Sequence, residues 1–219
     1  MNDITKNVQI VKENMCRAAE RVGRDPQTIR LVAATKYVSV DRIRQALQSN
    51  ITICGENRWQ EAQAKLEEIG QPNGLVWHFL GRLQRRKLKR IVGRVALIHS
   101  VESYEQAHEL NGLAQERGIQ QAILLEVNVG GEETKGGFAP DALLANISTL
   151  DQLPHLRIQG FMTVPPRVAN PEAARPYFRR LKQLEDEVAA NHPTRVQMNE
   201  LSMGMTQDYE IAIEEGATY

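Results

Sequence analysis

The stretch LVAATKYVSVDRIRQALQSNITICGENRWQEAQAKLEEI, residues 31–69, carries the alternation that decides the fold. LVAAT (Leu31–Thr35) is a continuous apolar run, as expected of a parallel strand covered on both faces. Ser39 stands where a helix N-cap is needed, and Val40, Ile43 and Ala46-Leu47 form one apolar stripe behind it. TICG (Thr52–Gly55) then reads as a second strand and Trp59–Ile69 as a second helix. Strands alternating with helices imply a parallel sheet, because only a crossover returns the chain to the same end.

The same unit repeats downstream with different residues. VWHFL (Val76–Leu80) precedes a helix over Leu83–Val92, ALIHSV (Ala96–Val101) precedes Tyr104–Arg117, and AILLEVNV (Ala122–Val129) precedes Asp141–Leu150. RIQGFMTV (Arg157–Val164) leads to a helix from about Arg175, with Pro176 tolerable in its first turn. QMNELSM (Gln197–Met203) leads to Gln207–Glu215, where Gly216 suits the C′ position. Upstream, Ile4, Val8, Val11, Met15, Ala18 and Val22 recur at helical spacing, and Gly23 and Asp25-Pro26 end that helix. Seven strand–helix units, with Thr218-Tyr219 opening an eighth strand, predict an α/β fold: a single-domain (β/α)8 TIM barrel with an extra N-terminal helix. A GxGxxG fingerprint is missing after the first strand, which argues against an open dinucleotide-binding sheet. No Gly/Ser/Pro-rich linker divides the chain, so residues 1–219 are expected to form one domain.

Composition narrows the function. The 219 residues carry 27 Lys+Arg and 27 Asp+Glu, a neutral balance without the long-range field of a dedicated nucleic-acid binder. Hydrophobic residues at 42% and charged residues at 25% describe an ordinary globular chain. No apolar run is long enough for a bilayer and the first twenty or so residues are polar, so a cytoplasmic protein without membrane attachment is expected. Cys16 and Cys54 make no disulfide framework, and neither CxxC, HxH nor HExxH is present to hold a metal.

In a barrel the chemistry sits at the carboxyl ends of the strands. That rule nominates Thr35-Lys36, Glu56-Asn57, His78, Asn128, Met162-Thr163 and Ser202–Thr206. Lys36 directly follows LVAAT and is expected at the barrel mouth between apolar walls, where desolvation favours the neutral amine needed for a Schiff base. The plainer reading is a strand-end lysine that reaches solvent. SMGMT (Ser202–Thr206) combines two hydroxyls, a glycine that permits a tight turn, and a following helix, which suits a phosphate. Alternatively, Thr206 only caps that helix and Gly204 only turns the chain. A Schiff-base lysine and a phosphate nest on one rim would together suit pyridoxal 5′-phosphate (PLP). In GENRWQE (Gly55–Glu61), Asn57 caps the next helix or bonds a ligand, and Glu56 is placed to order Lys36. His78 is expected to be a satisfied core or rim residue. Arg82, Arg85, Arg86, Lys87, Lys89, Arg90 and Arg94 crowd one helix, either as a solvated stripe or as a surface for an acidic partner.

ATK (Ala34–Lys36), GEN..QE (Gly55–Glu61), WHFLG.LQ..K (Trp77–Lys87), VN..GE..K.G (Val127–Gly137), GFMT (Gly160–Thr163) and LSMGM (Leu201–Met205) follow one another in order. Together they resemble the pyridoxal phosphate homeostasis proteins, the YggS/PROSC-type family, over essentially the whole chain. The resemblance implies an alanine-racemase-type barrel (PLP fold type III), usually a monomer, that holds PLP as an internal aldimine. It maps the Schiff-base lysine onto Lys36, the phosphate contacts onto Ser202 and the Met203–Gly204 backbone, and the ring pocket onto Asn57 and Met162. It implies a role in vitamin B6 homeostasis and amino/keto-acid balance, with PLP as cofactor, no catalytic residue and no metal. PLP-dependent apo-enzymes or a regulatory protein would be further partners. Two departures stand out. Arg86 replaces the family's usual Asn, and the family continues through an eighth strand where this chain stops at Tyr219. That strand usually brings an Arg facing the pyridine nitrogen and a Gly-Thr at the phosphate, so the last strand is expected to be truncated, at a cost to closure and affinity.

The competing expectation is a PLP-dependent amino-acid racemase or transaminase of low activity. Racemisation needs acid/base groups on both faces of the substrate. The racemases that share this barrel take the second group from an added C-terminal β domain, and Tyr37 is expected to point away from Lys36 along the strand.

Overall fold

The computed structural model describes residues 3–132, 134–191 and 196–219. Helix α1 (Asp3–Arg21) precedes seven strand–helix units: β1 (Ala33–Ala34), α2 (Val40–Leu47), β2 (Ile53–Glu56), α3 (Trp59–Ile69), β3 (Val76–Phe79), α4 (Arg85–Ile91), β4 (Leu97–Val101), α5 (Tyr104–Glu116), β5 (Gln121–Glu126), α6 (Pro140–Leu150), β6 (Leu156–Met162), α7 (Arg175–Asn191), β7 (Glu200–Ser202) and α8 (Tyr209–Glu214). All neighbouring strands pair in parallel, in chain order from β1 to β7. Candidates at the strands' carboxyl ends therefore share one rim; His78, within β3, is not one of them and lines a cleft at the amino ends instead.

The sheet curls until its two edges share one segment. Thr218 donates its N–H to the Leu201 carbonyl at 2.8 Å, while the Thr218 carbonyl accepts from Arg30 N–H, also at 2.8 Å. Thr218-Tyr219 thus occupy the place of an eighth strand between β7 and the approach to β1, as the sequence pattern predicts. The helix expectations hold closely: α3 matches to the residue, α2 spans the stripe from Val40 to Leu47, Pro176 sits in the first turn of α7, and Gly216 follows α8 with φ +112°.

Three local expectations need correction. The first strand is only Ala33–Ala34, and Ala34 is exposed, because β1 has a ladder with β2 alone. Ser39 occupies the N-cap position of α2, but its hydroxyl makes no capping bond. Helix α8 starts at Tyr209, with Asp208 rather than Thr206 at its N-cap position.

Period-2 alternation gives each strand two kinds of side chain. Trp77, Phe79, Ile98, Ile123, Leu125 and Phe161 belong to the large core between sheet and helices. Leu97, Ala122, Leu124 and Met162, with Tyr219 packed against them, form a separate small cluster inside the curl. Gly160 marks the tightest approach between strands: a Cβ there would lie 1.9 Å from the Glu200 carbonyl oxygen, at a φ of +150°. Gly160→Ala is expected to destabilise the fold by roughly 1–3 kcal/mol through overpacking. Gly112, inside α5, is the contrast, since an added methyl would meet nothing within 4 Å. Gly112→Ala should therefore gain up to about 1 kcal/mol. Urea midpoints at unchanged slope check both.

Candidate functional site

The root of Lys36 is held from beneath by a buried ion pair. Glu56, at the end of β2, is fully buried, and its Oε1 accepts from Thr35 Oγ1 and from Lys65 Nζ, each at 2.6 Å. Lys65, on α3, also donates to the Thr35 carbonyl at 2.6 Å. Thr35 N–H bonds the Gly55 carbonyl at 2.9 Å, so the residue preceding Lys36 is fixed through both its N–H and its carbonyl. The next residue, Tyr37, adopts φ +62° and donates its N–H to Glu61 Oε2 at 3.2 Å. Glu56 therefore orders Lys36 through Thr35 and Lys65 and makes no contact with its amine. Lys36 itself is exposed rather than walled by apolar side chains, and its amine makes no hydrogen bond or ion pair among the described residues.

Asn57 follows directly on the same rim and is half-buried. The N-cap position of α3 belongs to Arg58, so the capping reading of Asn57 fails. Its side-chain amide has no hydrogen-bond partner among the described residues. Gly81 lies so close that a Cβ would sit 1.9 Å from the Asn57 carbonyl oxygen, which packs the loop after β3 against it.

Across the rim, Met162 pairs with Ser202 in register, and Thr163 N–H donates to the Ser202 carbonyl at 3.1 Å. The Ser202–Thr206 loop is held by α8, where Gly204, at φ +89°, passes so close that a Cβ would meet Ala212 Cβ at 2.6 Å. Helix α8 is fastened to its neighbours by Arg21–Glu214 at 2.7 Å, Arg175–Glu214 at 2.6 Å and Arg179–Glu215 at 2.9 Å. Two loop amides are already engaged: Met203 N–H bonds the Tyr219 carbonyl at 3.3 Å, and Met205 N–H bonds Asp208 Oδ1 at 2.5 Å. Gly204 and Thr206 N–H have no partner among the described residues. The nest is thus narrower than the motif implies, with the Gly204 and Thr206 amides free and the Ser202 hydroxyl beside them.

Beneath Ser202 lies a pair of histidines, of which only His78 stands out from the sequence. His99 Nδ1 is 2.8 Å from Ser202 Oγ, and His99 Nε2 is 2.9 Å from His78 Nδ1. Tyr219 stands edge-on to both rings at 5.4 and 5.5 Å, with the Arg30 guanidinium stacked over its ring at 4.0 Å. Burial holds His99 well below the ordinary imidazole range, helped by His78. Burial, then Arg30, pushes His78 down to about 4. Period-2 alternation in LIHSV was the available signal for His99, since it shares the inward parity of Leu97.

Asn128 and Thr163, just after β5 and β6, lie on the rim with their side chains donating to the Glu132 and Val127 carbonyls at 2.9 and 2.7 Å, and the other features stand apart from it. The basic residues of α4 are mostly solvated, and Arg85 pairs with Glu109 at 2.9 Å while Arg82 pairs with Glu102 at 3.3 Å. Burial pushes the Cys54 thiol up to about 12, and a hydrogen bond to Glu20 raises Cys16, so neither is an activated thiolate. Among the described residues there is no cluster of three metal-ligating side chains and no helix long and apolar enough to cross a membrane.

Two outcomes follow from the buried charges. Lys65→Met strands the Glu56 carboxylate and should cost about 3–5 kcal/mol, most of it recovered in Glu56→Gln/Lys65→Met, as read by urea unfolding. The second concerns His78, whose value of about 4 lies below the roughly 6.5 of an unfolded imidazole. Between these values the unfolded chain binds the extra proton, so stability is complete above pH 6.5 and falls towards pH 4, by roughly 3 kcal/mol for this group alone. Thermal midpoints measured across that window should slope less in His78→Asn.

The family model described as alanine racemase, N-terminal domain, matches residues 7–216. A pyridoxal phosphate homeostasis protein of Aquifex aeolicus is 44% identical over 208 residues, covering 95% of this chain and 90% of that protein. One from Pseudomonas aeruginosa is 35% identical over 219 residues, covering 100% and 92%. Among solved structures, PipY of Synechococcus elongatus without PLP superposes with a TM-score of 0.84 at 31% identity, over 94% of both chains. PipY with PLP bound gives 0.80 at 31% identity, over 93% of this chain and 94% of that one. An alanine racemase of Clostridium difficile, 14% identical, shares the fold at a TM-score of 0.67, with this chain covering 52% of it. The chain belongs to the pyridoxal phosphate homeostasis protein family, on the alanine racemase N-terminal-domain fold.

Proposed function

We propose that the chain is a PLP-binding protein of vitamin B6 homeostasis and amino/keto-acid balance, a single-domain monomeric carrier or regulator in the cytoplasm with no dedicated reaction. One observation carries this reading: an unbonded amine, Lys36, whose backbone is clamped by the buried Glu56–Lys65 pair, shares a rim with the Ser202 hydroxyl and the free Gly204 amide. These residue types fit the group. The Lys36 amine meets an aldehyde, the Ser202 hydroxyl and Gly204 N–H meet a phosphate, and Asn57 and Met162 flank a ring. Met203 contributes the spacing of the loop, its N–H being engaged by Tyr219. The family names and the PLP-bound PipY support the same ligand.

When bound, PLP supplies an amine-capturing aldehyde and an electron-withdrawing ring. What the chain adds is retention rather than turnover. Tyr37, 73% exposed in its left-handed turn, is directed to solvent and offers no second acid/base group beside Lys36. The exposed rim also leaves water in reach, against the needs of controlled PLP chemistry. For a protein partner, an apo-enzyme or a regulator, α4 is the surface we favour, since Arg86, Lys89 and Arg90 make no ion pair among the described residues.

Borohydride reduction of the PLP-saturated protein, followed by peptide mass mapping, tests the reading, with alanine enantiomer exchange assayed on the same sample. A phosphopyridoxyl adduct on Lys36, lost in Lys36→Ala, with exchange no faster than free PLP is the expected result. Turnover abolished by Lys36→Ala would make the chain an enzyme, and an adduct elsewhere would remove Lys36 from the site.

A further inference from the structure

His99 has both ring nitrogens committed, Nδ1 to Ser202 Oγ and Nε2 to His78 Nδ1, and it is fully buried. A neutral imidazole carries one N–H, so the chain of three side chains has two polarities. In the first, His78 Nδ1–H donates to His99 Nε2 and His99 Nδ1–H donates to Ser202 Oγ. The serine hydroxyl has then accepted its internal bond and keeps its own hydrogen for a group outside the barrel. In the second, every bond reverses: Ser202 O–H donates inward to His99 Nδ1, and the serine presents only lone pairs outward.

We propose that His78 and His99 form a polarity relay that positions the Ser202 hydroxyl as a hydrogen-bond donor to a phosphate ester, with His99 as the positioning residue. This rests on the reading of Ser202 as a phosphate contact. A phosphate monoester is mostly an acceptor near neutral pH, so it selects the first polarity, and a ligand without phosphate is indifferent to it. The relay's far end is open to rearrangement. His78 Nε2 has no partner among the described residues, and the ring lines a cleft of about 370 Å³ at the strands' amino ends, together with Arg30, Arg157, Gln159 and Tyr219. In either polarity His78 Nε2 is the atom left for that cleft, as acceptor in the first and donor in the second, so neither polarity strands a polar atom in the interior. Tyr219 packs edge-on against both rings.

The test compares PLP with pyridoxal, which lacks the phosphate, by spectroscopic titration of the full chain. His99→Phe should weaken PLP on the order of tenfold and leave pyridoxal within about twofold, the loss expected for a hydrogen bond to a charged group. His99→Asn, whose amide N–H replaces Nδ1–H, should recover most of the difference. Ser202→Ala should show the same selective loss, with no further loss on adding His99→Phe. Long-range ¹⁵N–¹H spectra of the unmutated, PLP-loaded protein should place the His99 hydrogen on Nδ1. A hydrogen on Nε2, or equal losses for both ligands in His99→Phe, would overturn the relay. If Ser202→Ala leaves the PLP-to-pyridoxal ratio unchanged, the phosphate reading falls and the relay with it. If only the His99 variants leave that ratio unchanged, the relay alone falls.

Discussion

The contact between Lys65 and Glu56 is the constraint on which the candidate rim depends. A buried ammonium and a buried carboxylate are expensive to desolvate, and their mutual attraction offsets this only in good geometry with further hydrogen bonds. Here those further bonds go to Thr35, through its hydroxyl and its carbonyl. The pair therefore joins α3 and β2 to the end of β1, where an edge ladder of two residue pairs would otherwise leave the chain poorly fixed. Such a bond is a poor source of stability compared with an apolar substitute. Its value lies in fixing one backbone conformation immediately before the lysine.

Much of the architecture was legible because parallel strands and amphipathic helices write different periods. Val40, Ile43 and Leu47 marked the buried stripe of α2, and apolar runs marked β3 to β6 within a few residues at either end. What stayed hidden was polar and depended on tertiary contact. Lys65 looks like an ordinary helix cation, and only the packing of α3 against β2 shows that it is buried. Asn57 reads as a cap until Arg58 is seen to occupy the N-cap position. Local preference nominated Thr206 for α8, yet Asp208 sits at the cap and binds the Met205 amide. Position along the strands nominated the rim residues, and Lys36 with the Ser202–Thr206 loop already suited PLP, whereas the ring-pocket roles of Asn57 and Met162 came from family resemblance.

Binding and catalysis make different demands on such a rim. Retention needs a reachable amine and a few well-oriented donors. Controlled turnover needs opposed acid/base groups and exclusion of water. The turn after β1 serves the first demand: Glu61 holds the Tyr37 amide while the tyrosine ring lies outside, beside Arg58 at 5.2 Å. Lys36 is consequently fixed at its root and without a hydrogen bond at its tip among the described residues, a combination suited to the capture and release proposed above.

The division of each inner strand into two parities has a consequence for how this barrel can vary. Trp77 and Phe79 belong to the outer core while His78 between them faces His99, and Ile98 and Leu97 divide likewise. A one-residue slip in β3 would drive His78 into the hydrocarbon layer and bring tryptophan or phenylalanine against His99, and one in β4 would displace His99 and bring Ile98 or Ser100 beneath the serine. The polar interior thus acts as a register lock: any misaligned pairing loses apolar packing and hydrogen bonding in the same step. Strand ends can vary without touching this pattern, but the phase of β3 and β4 cannot.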